Sequence, residues 1–366
     1  MQSFDNNTKA FFELLRAGLW EQEARLFQFG EIDYKEVYRR AEAQSVVGLV
    51  GAGLEHVTDV VLRRDYTLAF VRSALQLEQQ NIAMNQFIGE VVRRLCEAGI
   101  RVLLVKGSAI AQCYSRPLLR SCGDIDLFFS KAEHDKAVAL LSTMATRIVQ
   151  DSHFTKSVGL LIDGWFVEAH GTLRCGLSSK LVKETDNVQR HAFGTHYART
   201  WKNGNVDVHL PDVDSDLFLL FTHFVRHFYK GGVTLKQLCD WCRFLYLYHC
   251  SVDVRLLEER LNRTNLIQEW KSFAHVVIEY LGMPAEAIPL FSYDNRQQSR
   301  EEHIISFILD GGMHKRLQDI LFISRIFPLN TFKFLPSILF NLNGIKLKEF
   351  LSGTDNNREE FEMINE

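Results

Sequence analysis

The hydrophobic pattern changes period twice along the chain. Lys9 to Ala17, Tyr34 to Leu54 and Asp65 to Ala98 carry apolar residues at helical steps among Ala, Leu, Glu, Gln and Arg, which predicts helices there. Gly18 is placed to stop the first helix. In the last, Met84, Phe87, Ile88, Val91, Val92 and Leu95 form one apolar stripe. Gly99 then marks a helix end, and Ile100 to Val105 reads as a buried strand. A short helix from Ser108 to about Ser115 leads to the run Gly123-Asp-Ile-Asp-Leu-Phe-Phe129, a second strand. Ser130 and Glu133 form a capping box for another helix.

Next the period becomes two. Asp163-Gly164 is a two-residue turn between Leu-Leu-Ile and the strand Trp165 to His170. In that second arm Phe166, Glu168 and His170 share one face, and Trp165, Val167 and Ala169 the other. Asn203-Gly204 marks a further turn before the alternating strand Val206 to Leu210. From Asp214 the helical period returns to about Glu349, with breaks near Gly231-Gly232, Pro284, Gly311-Gly312 and Pro328. The pattern predicts an α+β architecture. A small mixed-sheet core at 98–211 lies between an N-terminal helical region, 1–97, and a C-terminal one, 212–350, with a polar tail at 351–366.

Composition narrows the classes. A net charge of -3 gives no basic footprint for gripping long nucleic acid, so no such partner is expected. Seven scattered cysteines form no secreted disulfide framework, the N-terminus lacks the basic and apolar stretches of a signal peptide, and charged residues or Pro interrupt every apolar run. A cytoplasmic protein without a transmembrane segment is the expectation.

The chemistry concentrates in residues 102–129. Asp124 and Asp126 are two apart in an apolar run, so both carboxylates are expected on one face of one strand, about 6–7 Å apart at the backbone. A divalent cation relieves both their repulsion and their burial. Gly107-Ser108 offers backbone N–H groups and a hydroxyl to an anion. Arg120 and Lys106 are candidates to neutralise phosphate, with a surface position and a snorkelling stem as their plain alternatives.

These residues resemble a known family. Gly107-Ser108 followed by Gly123-Asp124-Ile125-Asp126-Leu127 is similar to the signature of the DNA polymerase beta-like nucleotidyltransferase superfamily. The longer pattern LLVKGSAIAQCY, RPLLRSCGDIDLF and VEAH resembles its uncharacterised bacterial nucleotidyltransferase family over roughly residues 60–250. The resemblance implies two metal ions, Mg2+ or alternatively Mn2+, held by Asp124, Asp126 and Glu168. It also implies Ser108 on the β- and γ-phosphates of an NTP, with ATP as the donor by analogy. An NMP group would pass to a hydroxyl or phosphate of an acceptor, whether small molecule, peptide or protein. A catalytically silent nucleotide-binding protein and a kinase-like phosphotransferase are the alternatives on the same fold.

Glu168 also has an independent case: a carboxylate inside an apolar strand, set by a tight turn beside the core. Its alternatives are an edge position facing water or a pairing with Lys156. His170 reads as a neighbour of the ligands. His223 and His227, one helical turn apart, could face the cleft from the C-terminal helices. Asp240 is a candidate to pair with Arg243 or Arg226, and Tyr114 reads as core. Cys239-x-x-Cys242 could join the two histidines around zinc, but its apolar mid-helix setting favours small buried hydrophobes. The Phe-rich basic segment 322–350 reads as packing helices, with partner binding as the alternative.

Overall fold

The computed structural model describes residues 4–62, 64–150, 156–194, 199–292, 295–310 and 316–337. Four helices lead in: α1 (Asn6–Trp20), α2 (Tyr34–Ala43), α3 (Val47–Leu54) and α4 (Arg64–Glu97). The core follows as β1 (Val102–Val105), α5 (Gly107–Ala111), β2 (Ile125–Phe129), α6 (His134–Ser142), β3 (Arg147–Gln150), β4 (Ser157–Ile162), β5 (Trp165–His170), α7 (Ser179–Gly194), β6 (Arg199–Asn203) and β7 (Val206–Leu210). Helices α8 (Val213–Lys230), α9 (Leu235–Tyr248), α10 (Val254–Thr264), α11 (Ile267–Leu281), α12 (Asn295–Leu309) and α13 (Arg316–Ile326) complete the C-terminal half, with helical structure again at 328–337. The mixed α+β architecture is therefore the one the hydrophobic pattern predicts. The tail and the end of the Phe-rich segment lie outside the described residues.

Five strands form one mixed sheet in the order β1-β2-β5-β4-β3. The β2–β5 pair is parallel and the other pairs are antiparallel. Alternation divides the sheet cleanly. Leu104, Leu127, Phe129, Val167, Ala169 and Leu160 join the stripe Met84, Ile88, Val91, Val92 and Leu95 of α4 in one buried cluster. On the opposite face Leu103, Val105 and Phe128 make a much smaller apolar patch, and Asp126, Glu168, His170 and Ser157 are polar strand positions of that face. The Asp163-Gly164 turn forms as expected, both residues taking positive φ, 51° and 84°.

Several boundaries differ from the sequence reading. Gly18 does not end α1; it lies inside the helix, where a Cβ would come within 1.8 Å of the Leu49 carbonyl oxygen of α3. Gly53 of α3 makes the reciprocal approach, 1.9 Å from the Leu14 carbonyl. These glycines allow two backbones to touch, which outweighs their poor helix propensity. The single helix over 34–54 breaks at Ser45, whose φ of 55° no helix accommodates. The Ser130-Glu133 capping box does not form. Ser130 Oγ donates to Glu133 Oε2 at 2.6 Å, Glu133 Oε1 accepts from the Arg101 backbone, and α6 starts only at His134. Elements β3, α7 and β6 had no reading in the sequence.

Gly18→Ala is expected to lower stability by about 1–3 kcal/mol, because the methyl has only backbone to displace. Gly51, whose Cβ would meet Phe70 at an ordinary 3.6 Å, is the control. Gly51→Ala is expected to leave the melting temperature unchanged or raised in thermal unfolding followed by circular dichroism.

Candidate active site

The parallel register pairs Asp126 directly with Glu168 and Phe128 with His170. Asp126, Glu168 and His170 thus occupy the polar face, away from α4. One ligand atom from each lies within 4.8 Å of the others, and the trio could hold a metal ion. Asp126 is 2 % exposed, and its Oδ1 accepts from Lys106 Nζ at 2.6 Å and His170 Nε2 at 2.7 Å. Glu168 is half-buried, its Oε2 3.1 Å from the same His170 nitrogen. Asp124 corrects one detail of the sequence reading. Strand β2 begins at Ile125, so Asp124 sits on the loop before the ladder, solvent-accessible at the cleft rim and outside the close trio. It lines the same cleft as Lys106, Glu168 and His170.

The charges explain one another. Burial would push the Asp126 carboxyl up, but Lys106 and His170 hold it far below the ordinary carboxylate range. Burial disfavours the Lys106 ammonium, yet Asp126, Glu168 and Asp124 together keep it above the usual lysine value. His170 follows the same logic: burial and Lys106 oppose its charge, while its bonds to Asp126 and Glu168 outweigh them and raise it. The Asp124 carboxyl is raised, chiefly by Asp126 and then by burial. An oxygen-rich donor set with an excess of negative charge fits a hard divalent cation.

The other sequence candidates divide. Lys106 reaches the cleft, paired to Asp126. Gly107 takes φ 27° at the corner after β1, where a Cβ would press on the Asp124 carbonyl at 3.3 Å. Ser108 is buried and its hydroxyl points to Met84 Sδ at 3.4 Å, a weak acceptor on α4. Arg120 does not line the cleft. It is buried with Asp240 in a bidentate pair, Nε–Oδ1 2.8 Å and Nη2–Oδ2 2.7 Å, and Tyr114 Oη donates to the same carboxylate at 2.7 Å. Asp240 therefore pairs with neither Arg243 nor Arg226. Arg243 instead caps the carbonyls of Cys113 and Leu19, spending its donors on backbone that α9 covers.

His223 and His227 do line the cleft, from α8. Their rings meet edge-on at 4.5 Å between centroids. Burial, and after it Arg226 and Lys106, depresses the His227 imidazole to about 4. Burial also drives His223 well below its ordinary value. Cys239 and Cys242 are fully buried in the helical core, where burial raises both thiols, and neither belongs to a metal-capable cluster among the described residues. Arg174, which had no reading in the sequence, and Arg226, read there only as a possible partner of Asp240, also line the cleft. Arg174 pairs with Asp186 at 2.5 Å, whereas Arg226 makes no hydrogen bond or ion pair among the described residues. Its position one residue before His227 was the only signal. No helix among the described residues is long and apolar enough to cross a membrane.

Two outcomes follow from these charges. Asp240→Asn is expected to cost about 3–5 kcal/mol in urea unfolding, because it strands a buried guanidinium. His227 titrates at about 4 when folded and near 6.5 when unfolded, so the unfolded chain takes up its proton first. Its contribution to stability is complete above about pH 6.5 and is lost as pH falls toward 4. His227→Gln is expected to flatten that part of the stability–pH curve.

A family model described as "Uncharacterised nucleotidyltransferase" matches residues 30–282. A search of the curated proteins finds no match. Among solved structures, the crystal structure of an antigenic nucleotidyltransferase-like protein from Paracoccidioides brasiliensis is similar at 12% identity and a TM-score of 0.32, covering 57% of this chain and 92% of that one. Because the family model spans well over half of the residues, the chain belongs to this family of uncharacterised nucleotidyltransferases.

Proposed function

We propose that the protein transfers the nucleoside monophosphate group of an NTP, with ATP as donor, to a hydroxyl or phosphate of an acceptor, using Mg2+. Mn2+ would serve in its place. The observation that carries this reading is the direct pairing of Asp126 with Glu168 across parallel strands, with Asp124 and Lys106 in the same cleft. Asp124, Asp126 and Glu168 would hold the metal. Bound there, the metal supplies charge neutralisation of the triphosphate and a lowered pKa for the attacking hydroxyl.

The chain's own residues do the rest. His170 Nε2 donates to Asp126 at 2.7 Å and lies 3.1 Å from Glu168 Oε2, so its one N–H holds the two carboxylates together before substrate arrives. Lys106 and Arg226 bring positive charge to opposite walls of the cleft, where the phosphates would lie. His223 and His227, kept neutral by burial, offer hydrogen bonds without adding charge. Rigid placement of these groups supplies most of what in-line phosphoryl chemistry needs. Arg120, spent on Asp240, supports the loop that carries Asp124 and takes no part in binding. A cytoplasmic location is in keeping with cysteines that, among the described residues, are all free.

Incubation with α-labelled ATP, Mg2+ and cell lysate is expected to label an acceptor and release pyrophosphate. Asp126→Asn is expected to reduce labelling by ~100-fold or more. Release of ADP with γ-label transfer would instead identify a phosphotransferase. Metal-independent ATP binding that survives Asp126→Asn, without any turnover, would identify a silent nucleotide-binding protein.

A further inference from the structure

Resting on the metal-dependent reading above, we propose that Lys106 is a resident counter-ion that the metal must displace. In this role its ammonium neutralises Asp126, beside Glu168 and Asp124, until the metal arrives, and then serves the incoming triphosphate. The placement is specific. Lys106 Nζ is 2.6 Å from Asp126 Oδ1, the same oxygen that His170 Nε2 approaches at 2.7 Å. Lys106 and His170 take up both lone pairs of that oxygen, so a metal that binds through Oδ1 must take the place of Lys106. Asp126, Glu168 and Asp124 all act on the ammonium, Asp126 most strongly, as they would on a bound cation.

The backbone reinforces this placement. Lys106 takes φ 54° and ψ −148°, a conformation non-glycine residues rarely adopt, at the corner where β1 turns into α5. The strain is held by Val105 in the β1 ladder on one side and by the Gly107 turn on the other. The side chain is thereby aimed across the polar face at Asp126 instead of out along the strand. A long, flexible stem lets the ammonium swing by several ångströms without moving that backbone. The surrounding carboxylates explain why such a cation is useful. Without metal, a buried Asp126 beside Glu168 and Asp124 would face uncompensated repulsion, and Lys106 offsets it. Metal entry restores the neutralisation and frees a positive charge at the moment the cleft receives a polyanion.

One substitution then has two effects of opposite sign. Lys106→Met is expected to tighten Mn2+ binding at least about tenfold, measured by titration calorimetry or by the electron paramagnetic resonance of free Mn2+, because a competing charge is gone. The same variant, saturated with Mn2+, is expected to bind tripolyphosphate about tenfold more weakly than the wild type. Lys106→Arg keeps the charge and is expected to keep the weak Mn2+ affinity, and circular dichroism checks that both variants fold. Unchanged or weaker Mn2+ binding by folded Lys106→Met overturns the displacement while leaving the metal-dependent reading intact. Tightening in Lys106→Arg as well overturns it, since charge would not be the cause. If neither wild type nor Lys106→Met binds Mn2+, the inference and the metal-dependent reading fall together.

Discussion

The parallel pairing of β2 with β5 is the constraint on which the site depends. It sets Asp126 opposite Glu168 and Phe128 opposite His170, on the face that α4 does not cover. A slip of β5 by one residue would turn Glu168 and His170 into the apolar cluster beneath the sheet and expose Val167 and Ala169 in their place. The register is therefore specified by the burial of Leu127, Phe129, Val167 and Ala169, and the acidic cluster is a consequence of that burial. Stability and chemistry are divided between the two faces of one sheet. The α4 stripe supplies the apolar surface that lets the other face carry charge.

That charge is balanced locally. Lys106 and His170 converge on a single oxygen of Asp126, and His170 also engages Glu168. The opposite wall, from α8, contributes neutral imidazoles and Arg226, which makes no ion pair among the described residues. The cleft thus has an acidic, sheet-borne side and a positively charged, helix-borne side, a polarity suited to a metal–triphosphate. A second polar knot, Arg120 with Asp240 and Tyr114, is buried between the core and α9 and ties the Asp124 loop to the helical half. It performs a structural task with residues that, by type alone, could have been assigned to phosphate.

Much of this was legible in the residues. The period-two alternation and the Asp163-Gly164 turn gave the hairpin and put Glu168 and His170 on one face, and the spacing of Asp124 and Asp126 drew attention to the right strand. What local pattern could not supply were partners distant in sequence. Arg120 and Asp240 are 120 residues apart, and nothing near either of them indicates the other. Gly18 has the composition of a helix stop, and only the approach of α3 explains its place within a helix. The edge strand β3 is short and leaves Ile148 and Val149 half exposed, so it lacks the alternation by which strands are read. Arg226 was read only as a possible partner of Asp240, because an arginine on an amphipathic helix gives no sign of a cleft until the packing beside it is known.

The central claim is that the paired strands hold a metal against the triphosphate. Crystals of the protein grown with Mn2+ and a non-hydrolysable ATP analogue, examined by anomalous diffraction, test it most directly. A manganese peak bonded to both Asp126 and Glu168, and touching the analogue's phosphates, is the predicted result. Nucleotide bound elsewhere, or bound in this cleft with Lys106 still on Asp126 and no manganese between the carboxylates, would contradict it.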